Sequence, residues 1–223
     1  MKKISIAIDG PAGAGKSTIA KLLAEKLSLN YVDTGAMYRT IALFFHDNNI
    51  IDYDKINMND ILEKIDIQIN YENHEQINYL NGKNINNYIR TSEISNMASS
   101  IAIYKEVRDK LVDIQRQIVL LNNVVMDGRD IGTYVIPDAT LKIYLNASIE
   151  ERAYRRYLDL KEKGIDEKLD EIKNDIAKRD NRDMNREFAP LAKADDAYEI
   201  NTTNLGINDV VDKIMALMEF EEM

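Results

Sequence analysis

The sequence contains no cysteine. That excludes a disulfide framework and a zinc-thiolate centre, and it suits a protein of the reducing cytoplasm. Only two histidines occur, His46 and His74, and both read most simply as surface residues. Positive charge is in deficit, with 29 Lys and Arg against 38 Asp and Glu, a formal net of −9. An acidic chain is a poor nonspecific binder of nucleic acid, because neutralising phosphates dominates that affinity. No apolar run approaches the length of a membrane span. Met1-Lys2-Lys3 looks like the start of a signal peptide, but the apolar run behind it is short and is stopped by Asp9, so none is expected. Internal repeats and low-complexity tails are absent too. The 223 residues suit one medium domain, or a core with excursions, long enough to bury a real core. The arginines concentrate in the second half, which suggests local phosphate sites set in an acidic body.

The chain is organised around Gly10-Pro11-Ala12-Gly13-Ala14-Gly15-Lys16-Ser17-Thr18. Gly10, Gly15, Lys16 and Ser17 occupy every fixed position of the phosphate-loop pattern G-x-x-x-x-G-K-[ST]. Before it, Ile4 to Ile8 is a short β-branched run that predicts a buried strand. After it, Ile19, Ala20, Leu22, Leu23 and Leu27 recur at helical spacing. The free N–H groups at such a helix start carry partial positive charge and cradle an anion, while glycines let the backbone come close to it. Lys16 adds a cation for the β- and γ-phosphates, and Ser17 offers a hydroxyl to Mg²⁺.

Tyr31-Val32-Asp33 is a second strand candidate, so strand, helix and strand succeed one another, as in a parallel α/β sheet. Thr34 is placed to cap the apolar helix that follows. Ile65 to Tyr71 alternates with period two, and Asn81-Gly82 marks a hairpin turn, so a small antiparallel meander is expected within the α/β core. On local pattern alone this insert reads as a solvated decoration. Ser92 to Leu121 reads as two helices broken near Ile103-Tyr104, with Arg108 off the apolar stripe of Val107, Leu111, Ile114 and Ile118. Val124-Val125-Met126-Asp127 has the form of a Walker B strand, whose carboxylate orients Mg²⁺, here through water; an Asp capping the next segment is the other reading. Leu141 to Leu145 and Ala197 to Ile200 are further strand candidates, and Ile207 to Met218 a closing amphipathic helix. Arg152, Arg155 and Arg156 share one helix face, as do Arg179, Arg182, Asp183 and Arg186. Charge patterning alone leaves a solvated face and a phosphate clamp equally open for the latter set.

These blocks together resemble the bacterial cytidylate (CMP) kinase family of P-loop nucleoside monophosphate kinases. The resemblance rests on the glycine loop, Asp33-Thr34-Gly35-Ala36-Met37-Tyr38-Arg39, Arg90-Thr91-Ser92-Glu93-Ile94, Val107-Arg108, Asp127 to Thr133, and Arg179-Asp180-Asn181-Arg182-Asp183. It spans nearly the whole chain. It implies a five-stranded parallel sheet flanked by helices, a β-rich insert in the region that binds the monophosphate, and a helical lid. The implied division is core at 1–33, monophosphate-binding region at 34–104 with its insert at about 66–90, core at 105–148, lid at 149–187, and core again at 188–223.

The resemblance also implies roles. Gly10 to Thr18 hold the phosphates of ATP, with Mg²⁺ at Ser17 and, through water, at Asp127. Thr34, Ser99, Arg108 and Asp130 line the cytosine pocket. Arg39, Arg129 and Arg186 hold the acceptor phosphate, and Arg179 and Asp183 lie near the acceptor's ribose and phosphate. Arg152, Arg155 and Arg156 belong to a lid over ATP, and the catalytic set is Lys16, Arg129, Arg186, Arg152 and Arg156. Thr34 stands where the family often has serine, and Met184 interrupts an arginine-rich run. The implied reaction is phosphoryl transfer from ATP to CMP or dCMP by a cytoplasmic monomer. Alternatives are a kinase for UMP or AMP and a slow nucleotide switch, although the guanine-reading Asn-Lys-x-Asp is missing.

Overall fold

The computed structural model of the protein describes residues 3–72 and 75–221; His74 and the Met1-Lys2 start lie outside them. Strand β1 (Ser5–Asp9) leads through the glycine loop into helix α1 (Lys16–Leu27), and β2 (Asn30–Asp33) leads directly into α2 (Thr34–Asp47). A short helix α3 (Met58–Leu62) precedes an antiparallel set, β3 (Ile67–Glu72), β4 (Glu75–Leu80) and β5 (Lys83–Asn84). Helices α4 (Ser92–Ile101) and α5 (Lys105–Leu121) return the chain to β6 (Val124–Gly128). Then come β7 (Leu141–Asn146), α6 (Ile149–Glu162), α7 (Leu169–Asn185), β8 (Tyr198–Asn201) and α8 (Ile207–Glu221).

The main sheet has the order β2-β6-β1-β7-β8, with every pairing parallel. Parallel strands need crossover helices, and these cover both faces, so β1 and β6 are buried along their whole length. One face packs Ile6, Ile8 and Val125 against Ala20 and Leu23 of α1 and Val211 and Ile214 of α8. The other packs Ala7, Val32 and Met126 against Val112 of α5. All five strands point their carboxyl ends to the same edge, where ligands of open α/β sheets bind.

The two helices expected between Ser92 and Leu121 are separated at Ala102 to Tyr104. At the predicted hairpin, Asn81 and Gly82 both take positive φ, 48° and 79°, which twists the turn in the sense the strands need. The insert is not a solvated decoration. Leu80 and Ile85 enter the core of α2, α4 and α5, and Gln76 and Asn78 are buried beside β2. Thr34 does not cap α2. Asp33 does, accepting from the Ala36 N–H at 2.8 Å, because its extended backbone aims the carboxylate at the first turn. Arg186 leaves the face it was expected to share with Arg179 and Asp183: α7 ends at Asn185, and Arg186 is already extended, with φ −66° and ψ 143°.

Candidate active site

At the carboxyl edge of the sheet lies a cleft of about 880 Å³. It is lined by Ala12, Gly13, Ala14, Gly15, Lys16, Ser17 and Thr18 on one side. Thr34, Arg39, Ser99, Arg108, Asp127, Arg129, Asp130, Arg155, Arg156, Arg179, Asp183 and Arg186 line the rest. Gly10, Pro11 and Arg152 lie outside the lining.

The loop's shape follows from steric limits at its first glycine. Gly10 has φ +148°, and a Cβ there would sit 2.0 Å from the Leu145 carbonyl oxygen. Only glycine lets the chain leave β1 against β7 in this way. Lys16 is buried and its Nζ donates to the Pro11 carbonyl at 2.7 Å, across the loop. Burial, with Arg129 and Arg179 nearby, pushes its ammonium well below the usual lysine range. Arg179 is likewise pushed down to about 10, by burial and by Arg129. Cations that depress one another leave a place where an anion is wanted.

Arg152 is spent on the loop itself. Its Nη1 donates to the Ala12 carbonyl at 2.9 Å and pairs with Asp180, whose other oxygen accepts from the Ala12 N–H at 3.1 Å. Its Nε donates to Ala147 O at 3.0 Å. Its face-mates diverge. Arg155 donates to Thr202 O at 2.8 Å and pairs with Glu151, while Arg156 reaches only Ser92 Oγ, at 3.5 Å. The helix face expected to lie together in a lid over ATP is divided, because Arg152 is buried behind the loop while Arg155 and Arg156 border the cleft.

On the far side, Arg108 is buried under the Tyr38 ring, 5.6 Å from its centroid, and pairs with Asp130. Arg186 Nη2 donates to the other Asp130 oxygen at 3.1 Å. Arg129 Nε donates to Asp183 at 2.8 Å, tying the end of β6 to α7. Burial alone would raise Asp183, but Arg129, Arg179 and Arg186 together hold its carboxyl below the usual range. Thr34 Oγ1 donates to the Asp127 carbonyl at 2.6 Å. Tyr38 OH, Ser99 Oγ, Arg39 Nε and Arg179 Nε are buried on the cleft wall with no partner among the described residues. Each such atom costs about 1–3 kcal/mol when unpaired. Their gathering in one cavity marks where a polar ligand's atoms belong.

A family model described as cytidylate kinase matches residues 6–220. The chain belongs to the cytidylate kinase family. A protein of Alkaliphilus oremlandii (strain OhILAs) named cytidylate kinase is 53% identical over 219 residues, 98% of this chain and 99% of that one. One of Caldicellulosiruptor bescii with the same name is 49% identical over 217 residues, 97% of this chain and 96% of that one. The crystal structure of an uncharacterized protein from Eubacterium ventriosum ATCC 27560 has a TM-score of 0.50 at 14% identity, covering 97% of this chain and 99% of that one. That likeness shows the fold alone.

This member of the cytidylate kinase family also holds its site with residues that sequence reasoning passed over. Asp9, at the end of β1, accepts from the Ile131 and Gly132 N–H groups at 2.8 and 2.7 Å and so anchors the segment after Asp130. Burial raises its carboxyl to about 7. Tyr31 OH donates to Asp127 Oδ1 at 2.8 Å, and Ser17 Oγ to Oδ2 at 3.0 Å. Asp180 and Tyr38 fall within the stretches 179–183 and 33–39, where spacing gives neither of them a role. The only signal for Asp9 was an acid ending a buried strand, and for Gln76 there was none.

The Ser17 hydroxyl and Asp127 carboxylate form an all-oxygen donor set, which fits a hard cation such as Mg²⁺. Among the described residues no three His, Cys, Asp or Glu side chains converge as a metal cage. Mg²⁺ suits that arrangement, since it keeps waters and binds through one or two carboxylates plus substrate phosphates. Among the described residues no helix is long and apolar enough to cross a membrane.

Proposed function

We infer that this chain transfers the γ-phosphate of ATP to CMP and dCMP, giving ADP with CDP or dCDP. The observation that carries this is a match to the cytidylate kinase family over residues 6–220 in a chain with a cleft that joins the glycine loop to the arginine-rich wall. The match does not favour a UMP or AMP kinase or a nucleotide switch.

An ionised oxygen of the acceptor phosphate attacks Pγ in line. The bond from Pγ to the β,γ-bridging oxygen breaks, and ADP leaves with its electron pair. No general base is needed, because the attacking oxygen carries no proton. The difficulty is charge. Two unit charges of like sign about 4 Å apart repel by about 4 kcal/mol at an effective dielectric near 20, and the two nucleotides bring several.

Backbone N–H groups of the loop and Lys16 hold the ATP phosphates. Arg39, Arg129 and Arg186 hold the acceptor phosphate, with Arg179 and Asp183 beside it and the ribose. Planar guanidinium forks suit this, each able to grip two oxygens. Arg155 and Arg156 close over ATP from α6. Arg152, paired behind the loop, acts by fixing the Ala12 peptide rather than by touching phosphate. Ser17 and Asp127 would hold Mg²⁺, the latter through water, and the ion would supply positive charge against that building on the phosphates.

For the base, Asp130 accepts from the cytosine N4 amino group, where uracil presents an acceptor oxygen. Arg108, Ser99 and Thr34 complete the pocket. The helices of 149–187 act as a lid that excludes water once both substrates are present. The reading takes the protein as a monomer in a cytoplasmic setting. A coupled assay with ATP, Mg²⁺ and each nucleoside monophosphate tests the reading. CMP and dCMP should be used well and UMP poorly, and an enzyme preferring AMP or UMP would overturn it.

A further inference from the structure

The inserted sheet reaches the cleft through side-chain amides. Gln76 on β4 accepts from the Asp33 N–H at 2.8 Å, and its Nε2 donates toward the Asp33 carbonyl at 3.3 Å. Strand β2 is an edge of the main sheet. The Gln76 amide therefore takes the place of a neighbouring strand's peptide at the last residue of β2. The amide is itself held. Its Nε2 donates to Asn78 Oδ1 at 2.7 Å, Asn78 N and Nδ2 both donate to Asn86 Oδ1 at 2.9 Å, and Asn86 Nδ2 donates to Gln76 O at 2.9 Å. Gln76 and Asn78 are only 8% and 3% exposed.

Asp33 passes this order onward. One carboxylate oxygen caps α2 at the Ala36 N–H, and the other accepts from Arg39 Nη2 at 2.9 Å. The Arg39 Nε is buried on the cleft wall, without a partner among the described residues. The hairpin is thus tied to a guanidinium of the site through one residue, Asp33, whose main chain bonds Gln76 and whose carboxylate bonds Arg39. Neutral amides are suited to the task, since a carboxylate at position 76 would repel Asp33 and compete for Arg39.

We propose that Gln76 is a positioning residue for the acceptor phosphate: the Gln76–Asn78–Asn86 cluster sets Asp33, and Asp33 sets the Arg39 fork. This rests on the reading of Arg39 as a holder of that phosphate.

The test is a kinetic cycle of wild type, Gln76→Ala, Arg39→Ala and the double variant, with melting temperatures recorded for all. Gln76→Ala should raise the KM for CMP about tenfold, with kcat and the KM for ATP changed less than about twofold. In the Arg39→Ala background the same change should add less than about twofold, because its route is already cut. Gln76→Asn keeps an amide one methylene short and should give the same KM rise, which covers a failure of the alanine variant to fold. Independent, multiplying effects, or an unchanged KM in both Gln76 variants while Arg39→Ala raises it, would overturn the relay alone. An unchanged KM in Arg39→Ala would instead remove the Arg39 reading and the relay with it.

Discussion

Arg108 and Asp130 form an ion pair whose side chains are 1% and 6% exposed. A pair this deep rarely adds net stability, because desolvating both charges offsets their attraction. Here it presents a carboxylate, fixed from two sides by Arg108 and Arg186, to the cleft. Asp130→Asn should therefore lower the preference for CMP over UMP in kcat/KM by about tenfold or more, since the new amide can donate to the uracil oxygen. Melting temperature should fall as well, with Arg108 left under-compensated. An unchanged ratio would remove Asp130 from base selection.

Lys16 carries a charge the unliganded fold does not favour, being buried beside Arg129 and Arg179. Its folded pKa lies below its unfolded one, so the folded state binds protons less readily and stability rises with pH through the gap between them. Lys16→Met should leave the melting temperature without nucleotide no lower than wild type at neutral pH. Turnover should drop by about 10³-fold or more, the scale of losing a cation at the transferring group. Retained turnover would take the loop out of the chemistry.

Asp180 joins the Ala12 N–H to Arg152 behind the loop. Asp180→Ala leaves a buried guanidinium unpaired and should cost about 3–5 kcal/mol of stability. The KM for ATP should rise while that for CMP stays near wild type, because the support lies under one substrate only. Equal effects on both KM values would mean that the whole cleft, not the loop, had shifted.

Asp9 is raised from an ordinary 3.8 to about 7 by burial, with Asp130 adding to it and the Gly132 and Ile131 amides opposing. The folded state then holds this proton more tightly than the unfolded chain does. The associated stability is full below the unfolded value and is lost as pH climbs to about 7. The melting-temperature difference between wild type and Asp9→Asn should therefore shift against wild type across that window and level off above it. A difference that stays flat with pH would assign Asp9 an ordinary pKa.

Much of this molecule was legible before folding was considered. The glycine loop, the strand before it and the helix after it are set by neighbours within one turn or one strand, where spacing speaks directly. The Asn81-Gly82 turn is legible for the same reason, since few residue pairs accept two positive φ angles. Thr34 and Asp33 show the limit. Both can cap a helix, and the choice depends on where the chain bends out of β2.

Residue order alone specifies the local chemistry: a phosphate cradle, an alternation of strands and helices, and a supply of arginines in an acidic body. Tertiary structure decided which arginine serves which end. Arg108 stood only off its helix's apolar stripe until α5 packed it beneath Tyr38 and against Asp130. Arg152 looked like its neighbours until α6 turned it behind the loop toward Asp180. Gln76 carried no mark at all until the hairpin lay along the edge of β2. Hydrogen bonds and ion pairs between distant segments depend on a geometry that no local spacing encodes, so these roles exist only once the chain has closed on itself.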